Sequence, residues 1–415
     1  MLVHWIWYAI RPSLSDLRKR RLLEMFEDPE DVYAADKKTL AQIEDLNTEE
    51  REALLDKDLS EAERILNQCV DKGISVCTYQ DAAYPQRLKN IIDPPMVLYY
   101  KGHIPQMDDV PVIAAVGTRK ASVYGLNIAM RMGYQMASCG AQIVSGIAEG
   151  VDGKAMEGAL LAGGAVVGIL GFGADVVYPK CNSRLFEDVV RSGGCLITEF
   201  PPETPPYRWN FPKRNRIISG LSNGVVVIEA PERSGSLITA RQAAEQGRDV
   251  FVVPGNVDMA GFVGSNALLR EGAIPVRNGW DVVGEYEALY PQKVRPMKEN
   301  VQLPASETVG MDVAKVAQKP LSPAKNPSVD RKKVKKPIDK EEKQPYSDLV
   351  SVLPKLPENQ RRIVELLTDP MLVDEVIAQT GLSAGAVSVA LTMLEIKGLV
   401  LRLPGNRVGL KNKAK

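Results

Sequence analysis

The sequence predicts an α/β protein in which a parallel sheet carries helices on both faces, with a small helix-and-hairpin domain after it. Three observations carry this. From Val112 the apolar runs VIAAV, QIVS, AVVGIL, CLITEF, VVVIEA and VFVVPG alternate with stretches at helical spacing. Each run is short enough for a buried strand, and β-rich runs separated by helices argue for βαβ units. Several runs end in Gly or Ser, as in AVGTR, IVSGIAEG and GILGFGAD. Ligands of open parallel sheets bind beyond the carboxyl ends of the strands, where such turns lie.

In chain order, residues 1–105 read as a helical domain. LRKRRLLEMFEDPEDVYAADKKTLAQIEDL places apolar residues at helical spacing, and SEAERILNQCVDKG starts at a capping Ser60 and stops at Gly73. Tyr84-Pro85 and Pro94-Pro95 then mark an extended connection. Residues 106–290 hold the sheet. The uncharged passage from Gly158 to Ala174 is broken by Gly163, Gly164, Gly168, Gly171 and Gly173, so it reads as a helix end, a turn and a buried strand rather than a membrane span. Residues 291–350 are rich in Lys and Pro and poor in apolar residues, the composition of a disordered linker. Its Lys333, Lys335 and Lys336 read as a solvated tether or as weak phosphate contacts. Residues 351–415 read as a winged helix: ENQRRIVELLT, LVDEVIAQTG and LSAGAVSVALTMLEIKG as helices, then LVLRLPGNRVGL as two strands about Pro404-Gly405-Asn406.

The composition is that of an ordinary soluble protein, with 415 residues, 45% hydrophobic and 25% charged. Lys+Arg and Asp+Glu both total 52, so a polyanion partner would have to find a local basic patch, because no global field would attract it. Cys69, Cys77, Cys139, Cys181 and Cys195 show no C-x-x-C spacing and fit reduced thiols better than a disulfide framework or a zinc site. The opening MLVHWIWYAIRP lacks a basic region and a small-residue cleavage site, so a cytosolic protein is expected.

Three segments stand out as sites. In VGTRKASVYG a strand ends at Gly117 and a helix begins near Ser122; free amides at that helix start would favour an anion, with Arg119 adding a bidentate contact, or the segment is an ordinary βα turn. In EAPERSGSLITARQAAEQGRDVFVVPG, Ser234-Gly235-Ser236 leads into a helix that stops at Gly247, giving a second nest of amides and hydroxyls or simply a cap. In YRWNFPKRNRIISGLS, the bases Arg208, Lys213, Arg214 and Arg216 lie beside Tyr207, Trp209 and Phe211, with no acidic residue among them. Charge with stacking faces is how unpaired strands are held without sequence preference. Trp209 taken alone reads as a core residue. The Pro-rich part of this segment reads as irregular, with a short helix over RNRIISGLS.

Enzymatic readings find little support. There is no G-x-x-x-x-G-K-[ST], GILGFGADVV lacks a third glycine, and the two histidines, His4 and His103, fall outside the sheet region. Glu149, Asp152, Asp175 and Glu229 fall near the sheet edge, where they either orient arginines or serve acid–base chemistry. No cofactor and no metal site is expected.

These motifs together closely resemble the DprA/Smf family, the DNA-processing proteins of natural transformation. YPQRLKNIIDPPMVLYYKG, GTR, SGIAEGVDGKAMEGAL, GFGADVVYPKCN, FPKRNRIISGLS, the EAPERSGS segment and GSNALLREGA follow its pattern in order. The resemblance implies a Rossmann-like core between an N-terminal helical domain of the SAM/HhH type and a C-terminal winged helix. It further implies a non-enzymatic protein that binds single-stranded DNA, protects incoming strands, dimerises and loads a RecA-type recombinase. The strand-holding residues implied are Gly117, Thr118 and Arg119; Ser145 and Gly146; Phe211, Lys213, Arg214, Asn215 and Arg216; and Ser234, Gly235 and Ser236. Two departures matter: Met156 stands where the family pattern has histidine, and PPETPP replaces P-x-G-x-x-P. The winged helix carries few bases on its recognition helix, only Lys397 between Ala384 and Lys397, so protein contacts or wing contacts through Arg402 and Arg407 are expected. Two other classes remain open. One is a nucleotide hydrolase, since the core is also similar to the LOG phosphoribohydrolases, although Thr239 falls where their glutamate stands. The other is a winged-helix regulator of duplex DNA.

Overall fold

The computed structural model describes residues 1–296, 356–367, 369–397, 399–403 and 407–410. The chain divides into two compact units, Met1–Asp312 and Val313–Lys415. The expected linker, residues 291–350, lies almost wholly outside the described residues.

The first unit begins with six helices: α1 Leu2–Ala9, α2 Asp16–Met25, α3 Pro29–Ala34, α4 Lys37–Ala41, α5 Thr48–Leu55 and α6 Ser60–Asp71. Their starts are written in the sequence. Ser15, Asp28 and Asp36 accept from amides of the first turns of α2, α3 and α4, and Asn47 and Glu50 form a reciprocal capping box on α5. Trp7, Leu22, Val32, Leu40, Leu54 and Ile65 form their common core. Strand β1 Ser75–Thr78, the short helix α7 Gln86–Lys89 and strand β2 Val97–Gly102 follow.

The remaining elements are β3 Val112–Val116, α8 Val123–Ser138, β4 Gln142–Ser145, α9 Val151–Leu161, β5 Val166–Ile169, α10 Ser183–Arg191 and β6 Cys195–Thr198. After these come α11 Asn210–Leu221, β7 Gly224–Val227, α12 Gly235–Glu245, β8 Asp249–Val252, α13 Val263–Arg270, β9 Ile274–Pro275 and α14 Trp280–Val283. All strands join one nine-stranded sheet in the order β1-β2-β6-β5-β4-β3-β7-β8-β9. From β6 to β9 every pairing is parallel; β1–β2 and β2–β6 are antiparallel. Residues 1–105 are therefore not wholly helical, because β1 and β2 extend the core sheet.

Side-chain alternation along β3 explains why the runs read as continuously apolar. Ile113 and Ala115 belong to the core shared with α8, α9 and α10, while Val112, Ala114 and Val116 belong to the core shared with α11 and α12 on the other face. Met156 lies fully buried in the first of these cores. Among the described residues no helix is long and apolar enough to cross a membrane.

In the second unit, helices over Glu358–Leu366, Val373–Thr380 and Ala384–Ile396 enclose a core of Ile363, Val364, Val376, Val387, Leu391 and Leu394. A three-stranded sheet of β10 Met371–Leu372, β11 Val400–Leu403 and β12 Arg407–Leu410 covers one side. This is the winged-helix plan. Lys397 donates to Gln360 at 2.8 Å and Arg407 is exposed; the Arg402 side chain and the Pro404-Gly405-Asn406 turn lie outside the described residues.

Candidate functional site

Strand order reverses between β3, whose successors run to one side, and β7, whose successors run to the other. Beyond the carboxyl ends of these two strands lies a cavity of about 510 Å³. This is where open α/β sheets place ligands. It is lined from β3 by Gly117, Thr118, Arg119 and Lys120, and from α11 by Phe211, Arg214 and Asn215. Arg233, Ser234, Gly235, Ser236 and Thr239 line it after β7, with Ala148, Asp152, Ala260 and Gly261 completing the wall.

The rim is cationic. Arg119, Lys120 and Arg233 are exposed, and none makes an ion pair among the described residues. The guanidinium of Arg119 lies 4.8 Å from the centre of the Phe211 ring, and that of Arg214 lies 5.9 Å from it. The Phe211 ring is thus within cation–π range of both guanidiniums. Ser234 caps α12, and its hydroxyl lies 2.7 Å from that of Ser236.

The floor is held by buried charge. Arg214 donates to the carbonyls of Gly146 and Ile169, at the ends of β4 and β5, and to Asn215. Gly146 is required for this approach, since a Cβ there would lie 2.6 Å from the guanidinium. Burial pushes the Arg214 pKa down to about 10, an effect Asp152 opposes, so the group stays charged at neutral pH. Burial likewise raises the Asp152 carboxyl against the pull of Arg214. The two Asp152 oxygens accept the amides of Gly117 and Gly146 at 3.3 and 3.2 Å, tying the turns after β3 and β4 together.

The structure brings most of the sequence-predicted residues together and separates others. Gly117, Thr118, Arg119, Phe211, Arg214, Asn215, Ser234, Gly235 and Ser236 share the cavity. Ser145 does not reach it: its buried hydroxyl donates to Ala115 at 2.6 Å, bridging β4 to β3. Gly146 sits behind Arg214. Arg216 is buried against Glu199 at 2.7 Å, Asp16 at 2.9 Å and Asp93 at 3.0 Å, and Lys213 pairs with Glu199 at 3.0 Å. Both cations therefore bind α11 to the helical layer and the strand-end loop rather than facing the cavity.

The anion site expected at the start of α8 is also filled from within. Glu229, after β7, accepts the Ser122 amide at 3.1 Å and its hydroxyl at 2.7 Å. This carboxylate takes the place of an external anion at the helix terminus. Asp175 is used by Lys72 at 2.6 Å, and Glu149 is exposed. The helix in YRWNFPKRNRIISGLS begins at Asn210, not at Arg214, so the segment is less irregular than expected. Trp209 is 70% exposed, which overturns its reading as a core residue. Sequence reasoning passes over Lys120 and Arg233 as free cations, although GTRK and PERSGS each carry one beside a turn.

The model of DNA recombination-mediator protein A matches residues 75–287, and that of the DprA winged helix domain matches residues 350–406. Protein Smf of Synechocystis sp. is 30% identical over 409 residues, 97% of either chain. The DNA processing protein DprA of Streptococcus pneumoniae is 42% identical over 207 residues, 50% of this chain and 72% of that one. Its counterpart in Bacillus subtilis is 38% identical over 233 residues, 56% and 78% of the two chains. The X-ray structure of DNA processing protein A from Streptococcus pneumoniae aligns with a TM-score of 0.60 at 32% identity, covering 69% of this chain and 98% of that one. The chain belongs to the DprA/Smf family, the family of DNA recombination-mediator protein A.

Proposed function

We propose that this protein binds single-stranded DNA at the cavity between β3 and β7 and delivers it to a RecA-type recombinase, without a catalytic cycle of its own. The observation that carries the reading is the set of unpaired cations, Arg119, Lys120 and Arg233, around a cavity that exposes the Phe211 ring. A neutral chain has no general attraction for polyanions, so free cations gathered at one concave site mark where phosphates would be held. Phe211 supplies a ring against which a base can rest, and the amides and hydroxyls from Ser234 to Ser236 suit phosphate oxygens. The contact set we propose is Gly117, Thr118, Arg119, Lys120, Phe211, Asn215, Arg233, Ser234, Gly235 and Ser236, with Arg214 holding the floor.

Asp152 has both oxygens bonded to backbone amides, and Thr239 lines the cavity where a hydrolase of this build would need an acid. That arrangement supports binding over hydrolysis. The reading extends to a cytoplasmic homodimer that protects incoming strands during DNA uptake. It also keeps the division into residues 1–105, 106–290, 291–350 and 351–415, amended by the two strands the first segment lends to the core sheet. The test is a fluorescence-anisotropy titration of the full chain with labelled oligothymidine and with a hairpin duplex. Preference for oligothymidine supports the proposal, and equal affinity or none overturns it.

A further inference from the structure

In the segment that leads into α11, Tyr207 and Trp209 lie ring on ring, with centroids 4.7 Å apart and planes inclined by only 12°. The pair is at the surface, Tyr207 being 45% and Trp209 70% exposed. Surface exposure of this size is unusual for tryptophan here: Trp5 and Trp7 are buried and Trp280 is half-buried. The stack buries one face of each ring, so the indole keeps its other face open to solvent. It is also held in place. The Tyr207 amide donates to Pro205 at 2.8 Å, and the Asn210 amide donates to Tyr207 at 3.1 Å as α11 begins. Between the two rings in sequence, Arg208 is exposed and makes no ion pair among the described residues.

We infer that the open face of Trp209 is a second base-stacking station, occupied by a nucleotide next to the one held in the cavity. This deepens the proposed function and rests on it. Trp209 immediately precedes α11, two residues before the cavity-lining Phe211, so a strand leaving the cavity along this segment would meet it. A polyanion with flat apolar bases fits a rigid indole beside a free guanidinium; an acidic peptide would use the charge and leave the ring face unpaired. A duplex has its bases stacked already and gains nothing from the ring, so the station would discriminate between unpaired and paired strands.

The test uses the full chain with thymidine monophosphate, which measures the cavity alone, and oligothymidine of about twelve nucleotides, within the usual span of such sites. Oligothymidine should quench emission from the exposed Trp209, and W209L should remove that quench. W209L should also lower the ratio of the long-strand to mononucleotide affinities by about tenfold, the loss of one base stack, and W209F should restore most of it. An unchanged thermal midpoint for W209L shows that folding is unaffected. If W209L keeps the parent ratio while the mononucleotide still binds, the stacking station is overturned and the cavity reading stands. If neither probe binds the parent chain, both fail.

Discussion

Arg214 and Arg216, two positions apart on α11, face opposite sides of that helix. Arg214 clasps the carbonyls of Gly146 and Ile169 beneath the cavity. Arg216 is locked to Asp16 and Glu199 in the opposite direction. One helix therefore carries the cavity floor on one face and the tie to the N-terminal helices on the other. Arg214 thus lines the cavity from its floor, whereas the Arg216 guanidinium is taken up by carboxylates.

Arg216→Met should destabilise the protein by about 3–5 kcal/mol, because it leaves Asp16, Glu199 and Asp93 with only Lys19 and the half-exposed Lys213. Urea denaturation reads this as a lower midpoint. A variant as stable as the parent would show that the cluster is incidental.

Gly125 sits where Glu229 reaches the start of α8; a Cβ there would lie 1.9 Å from the Glu229 carboxylate. Gly125→Ala, although it favours helix in isolation, should cost about 1–3 kcal/mol by displacing Glu229 from the Ser122 amide and hydroxyl. Denaturant midpoints decide the sign: a gain in stability would mean that helix propensity outweighs the carboxylate cap.

Lys72 bonds Asp175 at 2.6 Å and Glu203 at 2.7 Å, joining α6 to the loops after β5 and β6. Burial works against the charged form of Asp175, yet Lys72 and the Glu203 amide hold its carboxyl below the usual range. The Lys72 hydrogen bond, and then that from Gln68, does the same for Glu203. Folded-state pKa values below the unfolded ones give stability that is present above the ordinary carboxylate range and is lost as pH falls through the folded values. Lys72→Met should thus be less stable than the parent at neutral pH and equal to it in strong acid. A gap that persists unchanged in acid would contradict an ion-pair origin.

Phe211→Leu keeps apolar volume against the core but removes the ring that Arg119 and Arg214 approach. Affinity for oligothymidine should fall by about 1–3 kcal/mol if a base stacks there, as measured by anisotropy. Unchanged affinity would return Phe211 to a packing role.

The central strands are legible because a sheet covered on both faces demands unbroken apolar runs, and their Gly- and Ser-rich ends mark the side on which the cavity lies. Strands β1 and β2 are hidden: β1 is only Ser75–Thr78 with a half-polar pattern, and both lie among helical signals and prolines. The start of α11 is masked by Pro212, which is tolerated because it falls in the first turn. At 100° per residue, Arg214 and Arg216 must diverge, a separation that stays concealed while Lys213 and its neighbours read as one irregular basic patch. Glu229 filling the start of α8 depends on an interaction 107 positions apart, which no local pattern encodes.

Strand capture by the free cations is tested most sharply by the salt dependence of oligothymidine affinity in the parent and in an Arg119→Ala/Arg233→Ala double variant, both exposed sites with no structural partner among the described carboxylates. Binding should weaken whatever the base sequence, and the log–log slope should become shallower by about 0.7 for each phosphate no longer neutralised. Parent-like affinity and slope at every salt concentration would contradict this role for the two arginines.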